Sequence, residues 1–367
     1  MTECVVVYFS RSGAPMYTHE AVTLTTVANA ISLVKQCRFE RYDSARHDSG
    51  KLYFVPNDTL LADEASSLGI RGPDDFFGGV VPDALVKTKA ITHELIDPRA
   101  ERPKAWCSGF PERVCGVVLP GYTVFSAEDA RRAAARILAG GLLRLKDPLG
   151  DGGKDQVVVS SAGELDALLE RWPQDRLAAH GLVLECNLNE ATTLSVGQTA
   201  IDGLMLSYYG WQRTVTNNEG KTVYGGSHLI CARGGWDALD RLPMGREERT
   251  AVRQARCYDA ATEEFPSFFV SRRNYDVCQG FDGGGQWRSG VLEASWRSGG
   301  ASTAELAALT AFVQDPTLQV IEAAAIKQFG RNRDAPRDAI VHFRGDDPQD
   351  GPILRYTRVI RRLRQAA

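Results

Sequence analysis

The chain lacks any uninterrupted apolar run near the ~18 residues that cross a bilayer, and no membrane association is expected. Its start, Met-Thr-Glu-Cys followed by a short apolar run, has neither the basic region nor the long apolar core of a secretory leader. Positive charge is not in excess: 43 Lys and Arg face 46 Asp and Glu, for a net charge of −3, and there is no basic tail. General nucleic-acid binding is therefore not expected. None of the eight cysteines forms a C-x-x-C pair, which leaves out the common zinc and thioredoxin-type motifs. Scattered thiols suit a reducing compartment, and the expectation is a soluble cytoplasmic protein. Internal repeats and long linkers are absent too.

What is present fills two or three α/β units. Residues 5–9 read as a strand, Ser10-Arg11-Ser12-Gly13 as a polar loop, and residues 20–35 as a helix, the opening of an α/β domain. VVVYFSRSGA is similar to the flavodoxin phosphate loop, which would imply FMN, although Ala14-Pro15 stands where flavodoxins continue with Asn-Thr. Further on, residues 86–95 carry a helical pattern, 114–119 a strand pattern, and Ser126 and Ser161 cap helices with acidic first turns. The middle, from 182 to 232, reads as antiparallel strands with a turn at 217–220, and a helix covers 247–264. Strands are expected at 275–280 and 290–295, two closing helices at 302–313 and 318–329, and a strand at 339–343.

Two stretches carry chemistry. Residues 141–159, GLLRLKDPLGDGGKDQVVV, alternate Leu143 and Leu145 with Arg144 and Lys146, so that a strand would put both cations on one face. Gly150, Gly152 and Gly153 then free the backbone between this strand and a returning one. Backbone N–H groups beside an inward lysine make a phosphate cradle; a plain hairpin with a solvated tip fits the same residues. Lys154 is followed by Asp155 and does not complete a Walker motif. The second stretch sets Asp276 and Glu293 on neighbouring antiparallel strands, where two carboxylates repel unless a cation such as Mg²⁺ joins them. Two surface acids on a hairpin remain the other reading.

In order, Lys89, Lys146 with its Gly-rich hairpin, Glu185 at a strand end, and a final E-x-S-x-R-x-G-G resemble the ATP-grasp superfamily over residues 86–301. FGGVVP, TKAITH, RLKDP and SRRNYDV are similar to segments of an uncharacterised proteobacterial family of ATP-grasp-like proteins, some described as biotin carboxylase-like. The resemblance implies an α+β ATP-grasp fold with an N-terminal α/β domain (1–85), a lid region with the Gly-rich hairpin (86–183), a central antiparallel sheet domain with flanking helices (184–301), and C-terminal helices and tail packing on it (302–367). It also implies ATP and Mg²⁺ as cofactors. Lys89, Lys146, Gly150, Gly152 and Gly153 would meet the phosphates, Glu185, Asn187 and Leu188 the adenine, and Glu190 the ribose. Asp276 and Glu293 would hold Mg²⁺, with Ser295 where the family usually has Asn, a weaker third ligand. Arg273 and Arg297 would serve catalysis. The implied reaction joins a carboxylate to an amine or other nucleophile through an acylphosphate. A nucleotide-binding module without turnover is the alternative, and assembly into a homo-oligomer is left open.

Overall fold

The computed structural model describes residues 4–10, 19–43, 51–150 and 155–364. It opens with a parallel three-stranded sheet in which Cys4–Tyr8 lies between Arg38–Arg41 and Leu52–Pro56. The helix His19–Lys35 buries Val27, Ala28 and Ile31 against this sheet and against the helix Ser302–Gln314, so one apolar core joins the start of the chain to its last third. The continuous β-branched run Val5-Val6-Val7 within Cys4–Tyr8 is buried on both faces, as a central parallel strand requires.

A four-stranded sheet follows, ordered Gly121–Val124, Leu182–Cys186, Leu143–Lys146, Gln156–Val159. The helices Ala127–Leu138 and Ala162–Leu169 cover one face, where Leu143, Leu145, Leu182 and Leu184 meet Ala130, Ala133 and Leu165. Both helices start as their sequences predict: the Ser126 hydroxyl accepts from the Asp129 N–H, and the Ser161 hydroxyl from the Glu164 N–H. The opposite face carries Arg144, Lys146 and Glu185.

The largest element is an eight-stranded antiparallel sheet running from residue 189 to 364, in the order Trp287–Ser295, Arg272–Phe281, Asn189–Ile201, Leu204–Thr216, Thr222–Arg233, Leu318–Phe329, Gly351–Arg364, Ile340–Asp347. The turn at 217–220 closes with Gly220 in the left-handed region, φ +80°. One face packs on the helix Arg246–Ala261 through Tyr258, Tyr275 and Val277. Ser302–Gln314 covers part of the other.

Three expected elements differ. Residues 318–329 form a strand, not a helix: Glu322 and the Ala323–Ala325 run favour a helix locally, but the segment is hydrogen-bonded on both sides, to Thr222–Arg233 and to Gly351–Arg364. The C-terminal part is therefore one helix and three sheet strands rather than helices and a tail. Residues 114–119 end the short helix Gly109–Val114 and turn, leaving a single bridge from Val118 to Val291. Residues 86–95 yield only the 3-10 turn Lys89–Thr92, capped by the Thr88 hydroxyl. No helix is long and apolar enough to cross a membrane among the described residues.

Candidate functional site

The charged face of the four-stranded sheet overhangs the edge of the eight-stranded one. The two are held together where the segment before Gly121 leans on Trp287–Ser295: the Val291 N–H donates to Val117 O at 2.9 Å. Gly290 allows this approach, since a Cβ there would stand 2.4 Å from the Leu119 nitrogen.

Alternation in Leu143–Lys146 and Leu182–Cys186 brings Lys146 and Glu185 to one face. The Lys146 ammonium lies 2.5 Å from Glu185 Oε2, and His93 Nε2 is 2.9 Å from Oε1. All three side chains are buried. Burial alone would raise the Glu185 pKa, but Lys146 and His93 hold it down to about 2. Beside them, Arg144 donates to Asn187 Oδ1 at 2.6 Å and to Gln156 Oε1 at 3.2 Å. Leu188 packs with Leu119, Cys278, Cys186 and Leu292 into a small apolar patch. The patch borders the cations on one side and the sheet edge on the other.

Across the cleft, Asp276 and Glu293 are direct partners in the antiparallel register, next to a bulge that re-aims the edge strand. Burial first, then the Glu293 charge, pushes the Asp276 pKa up to about 6. Asn274 Nδ2 donates to Asp276 Oδ1 at 2.7 Å, and Ser195 Oγ, itself receiving Gln212 Nε2 at 3.0 Å, stands 3.5 Å away. Lys89 closes the cleft: its ammonium is 2.9 Å from Glu293 Oε2 and donates to the Gly150 carbonyl. A half-buried carboxylate pair on neighbouring strands suits a cation, and Lys89 already supplies one positive charge to it. An acid pair of hard oxygen donors fits Mg²⁺.

Lys89, Lys146, Gly150, Glu185, Asn187, Leu188, Asp276 and Glu293 thus line one cleft. Ser295 is two residues from Glu293 on the same strand face, but its hydroxyl accepts from Arg272 Nη1 at 3.4 Å. Arg272 itself is fully buried, paired to Glu305 at 2.6 Å, and donates to the Arg297 carbonyl at 2.6 Å, so it fixes the loop that carries Arg297. The Arg297 side chain donates to Ser298 O at 3.2 Å. Arg273 does not join the cleft. Strand alternation puts it on the opposite face from Asp276, where Nη1 binds both oxygens of Asp259 at 2.9 Å beside the Tyr275 hydroxyl. Glu190 is exposed at a left-handed backbone position, φ +52°. Gly152, Gly153 and Lys154 lie outside the described residues, as does the flavodoxin-like loop beyond Ser10.

Sequence reasoning missed His93 as the second holder of Glu185, and Ser195, Asn274 and Gln212 as the polar surround of Asp276. Asn274 and Cys278 were within reach, since each is two residues from Asp276 and shares its strand face. Ser195 and Gln212 became neighbours only through sheet register.

A four-stranded antiparallel sheet over the edge of a larger one, with a buried acid at a strand end and a carboxylate pair on that edge, matches the ATP-grasp fold, and solved structures agree. The chain superimposes on N5-carboxyaminoimidazole synthetase from Staphylococcus aureus, complexed with ADP, at a TM-score of 0.56 and 11% identity, covering 98% of this chain and 94% of that one. The biotin carboxylase domain of Hydrogenobacter thermophilus 2-oxoglutarate carboxylase, in complex with MgADP, ADP and bicarbonate, gives 0.55 and 11%, covering 98% and 87%. Biotin carboxylase from Campylobacter jejuni gives 0.51 and 12%, covering 97% and 87%. No curated protein matches the chain by sequence. A family model does match, over residues 6–357, and the chain belongs to that family, described as "protein of unknown function (DUF3182)".

Proposed function

We propose that the protein is an ATP- and Mg²⁺-dependent ligase that activates a carboxylate as an acylphosphate for displacement by an amine or another nucleophile. The observation that carries this reading is the meeting of Lys89, Lys146 and Glu185 with the Asp276–Glu293 pair in one cleft. Lys146 and Lys89 would bind the phosphates, a task for which fixed charge in a partly dry cleft is well suited. The apolar patch around Leu188 would seat the adenine, and Asn187, held by Arg144, would fix the strand beside it. Asp276 and Glu293 would hold Mg²⁺, which when bound neutralises phosphate charge. Lys146 and His93 together hold Glu185 ionised and in place beneath the overhanging sheet. The chain's part in the reaction is positioning and charge complementarity rather than covalent catalysis.

A nucleotide-binding module without turnover is favoured by one observation, the engagement of the Ser295 hydroxyl by Arg272. The two readings part on ADP release measured with Mg²⁺ across a panel of carboxylates and amines. Turnover with any pair supports the ligase; ATP binding with no ADP from any pair supports the module. FMN binding gains no support from these relatives, and a colourless purified protein is expected.

A further inference from the structure

Behind the carboxylate pair a polar row runs into the protein. Tyr208, Gly197, Asn274 and Ser295 are partners in register across four adjacent strands, on the face that carries Asp276 and Glu293. Gly197 is the gap in that row: a Cβ there would stand 2.5 Å from the Tyr208 hydroxyl oxygen and 2.7 Å from the ring carbon that bears it. With no Cβ in the way, the Tyr208 phenol reaches over the intervening strand and meets Asn274 Oδ1 at 3.0 Å. Tyr208, Asn274 and Glu305 are all buried.

The hydroxyl has one proton to donate. Its other near acceptor is Glu305 Oε1 at 3.1 Å, on the helix Ser302–Gln314. That oxygen already receives Arg272 Nη2 at 2.6 Å, while Oε2 receives Arg272 Nε at 3.1 Å and the Thr199 hydroxyl at 2.8 Å. Asn274 Oδ1 lacks such a supply, so the Tyr208 proton goes to it. Burial, and then the Glu305 charge, raise the Tyr208 pKa well above its ordinary value, which keeps that proton in place. With its carbonyl end occupied, the Asn274 amide must turn its N–H groups to Asp276, where Nδ2 donates to Oδ1 at 2.7 Å. Ser195 Oγ stands farther from the same oxygen, at 3.5 Å. Were the tyrosine hydroxyl absent, the amide could flip and set its carbonyl oxygen against the carboxylate, where like partial charges repel. Groups that hold a ligand's orientation in this way tune the metal it binds.

We propose that Tyr208 is a positioning residue for the metal pair: its hydroxyl fixes which end of the Asn274 amide faces Asp276, and thereby how Asp276 presents its oxygens to a divalent cation. The cation rests on the reading given above; the hydrogen-bonded row does not. The test uses the full chain as wild type, Tyr208→Phe, Asn274→Ala, the double variant and Thr199→Val. Each is titrated with Mn²⁺, with and without ATP, and free Mn²⁺ is read by electron paramagnetic resonance. Tyr208→Phe and Asn274→Ala should each bind Mn²⁺ about tenfold more weakly, the low end for groups that orient a metal ligand. The double variant should be no weaker than the weaker single one, because the two residues act in one line. ATP affinity without metal should be equal in wild type and Tyr208→Phe. Thr199→Val takes a hydroxyl from Glu305 and none from Asn274, so it should melt lower yet bind Mn²⁺ as the wild type does. Equal Mn²⁺ binding by wild type and Tyr208→Phe would overturn the proposal. So would losses that multiply in the double variant, an equal loss in Thr199→Val, or a Tyr208→Phe chain that does not fold. Tyr208-dependent Mn²⁺ binding by a protein that binds no ATP would leave the positioning role standing and remove the ligase reading. ATP binding by a wild type that takes no Mn²⁺ would overturn the proposal and leave the nucleotide cleft, and a wild type that binds neither would lose both.

Discussion

Asp276→Asn offers the sharpest test of the carboxylate pair. In the folded protein the Asp276 pKa is raised from 3.8 to about 6 by burial and by Glu293 across the strand pair. Stability contributed by the protonated carboxyl is complete below about pH 4, the unfolded value, and is lost as pH climbs through about 6. At about 1.36 kcal/mol per pH unit, the loss at pH 8 is on the order of 3 kcal/mol. Asparagine removes the charge and keeps an oxygen for Asn274, which donates to Oδ1 at 2.7 Å. The variant should therefore melt above the wild type at pH 8. At ~2–4 °C per kcal/mol the gap is roughly 6–12 °C; it should hold nearly constant from pH 8 to about 6.5 and narrow below that toward pH 5. Mg²⁺ with ATP should raise the wild-type midpoint and do little for the variant, so that ligand reverses their order. Calorimetry from pH 5 to 8, with and without MgATP, reads all of this. A variant less stable than wild type at pH 8, or a gap independent of pH, would refute the reasoning.

Lys146→Ala should abolish the ATP-dependent thermal shift and, by stranding buried Glu185, cost about 3–5 kcal/mol in urea denaturation near pH 7; an unchanged ATP shift would sink the phosphate role. Glu293→Gln should remove the Mg²⁺ dependence of nucleotide binding, measured by titration calorimetry with ATP in the presence and absence of the metal. Glu305→Gln, which leaves the fully buried Arg272 without a charged partner, should lose on the order of 3 kcal/mol by denaturant midpoint and loosen the loop that carries Arg297.

Features set by local chemistry were legible in the sequence. The Ser126 and Ser161 caps, the turn at 217–220, the strand pair of Asp276 and Glu293, and the shared face of Arg144 and Lys146 all follow from residue type and spacing, and all are present. Features set by distant partners were not. Residues 318–329 have the alanines of a helix and become a strand only because two other strands await them. The resemblance assigns Arg273 to catalysis, yet its odd, three-residue offset from Asp276 along the strand sends it to Asp259 on the other face. Tyr208 meets Asn274 only through a register that sets Gly197 between them. His93 meets Glu185, 92 residues further on, only because the turn at 89–92 is folded against that strand, so nothing in its own segment marks it as a support of that carboxylate.

The order of the eight strands also constrains how the chain reaches its fold. Thr222–Arg233 is laid down early, but its outer neighbour, Leu318–Phe329, arrives only after two helices, three further strands and a third helix have been made. Until then its free backbone groups form a sheet edge open to any passing strand, with residues destined for the core such as Leu229, Cys231 and Ala232 exposed alongside. Pairing so far apart in sequence closes slowly. Nascent or truncated chains that stop before Leu318 should therefore be the aggregation-prone species of this protein, and chaperone demand should fall once Leu318–Phe329 has docked.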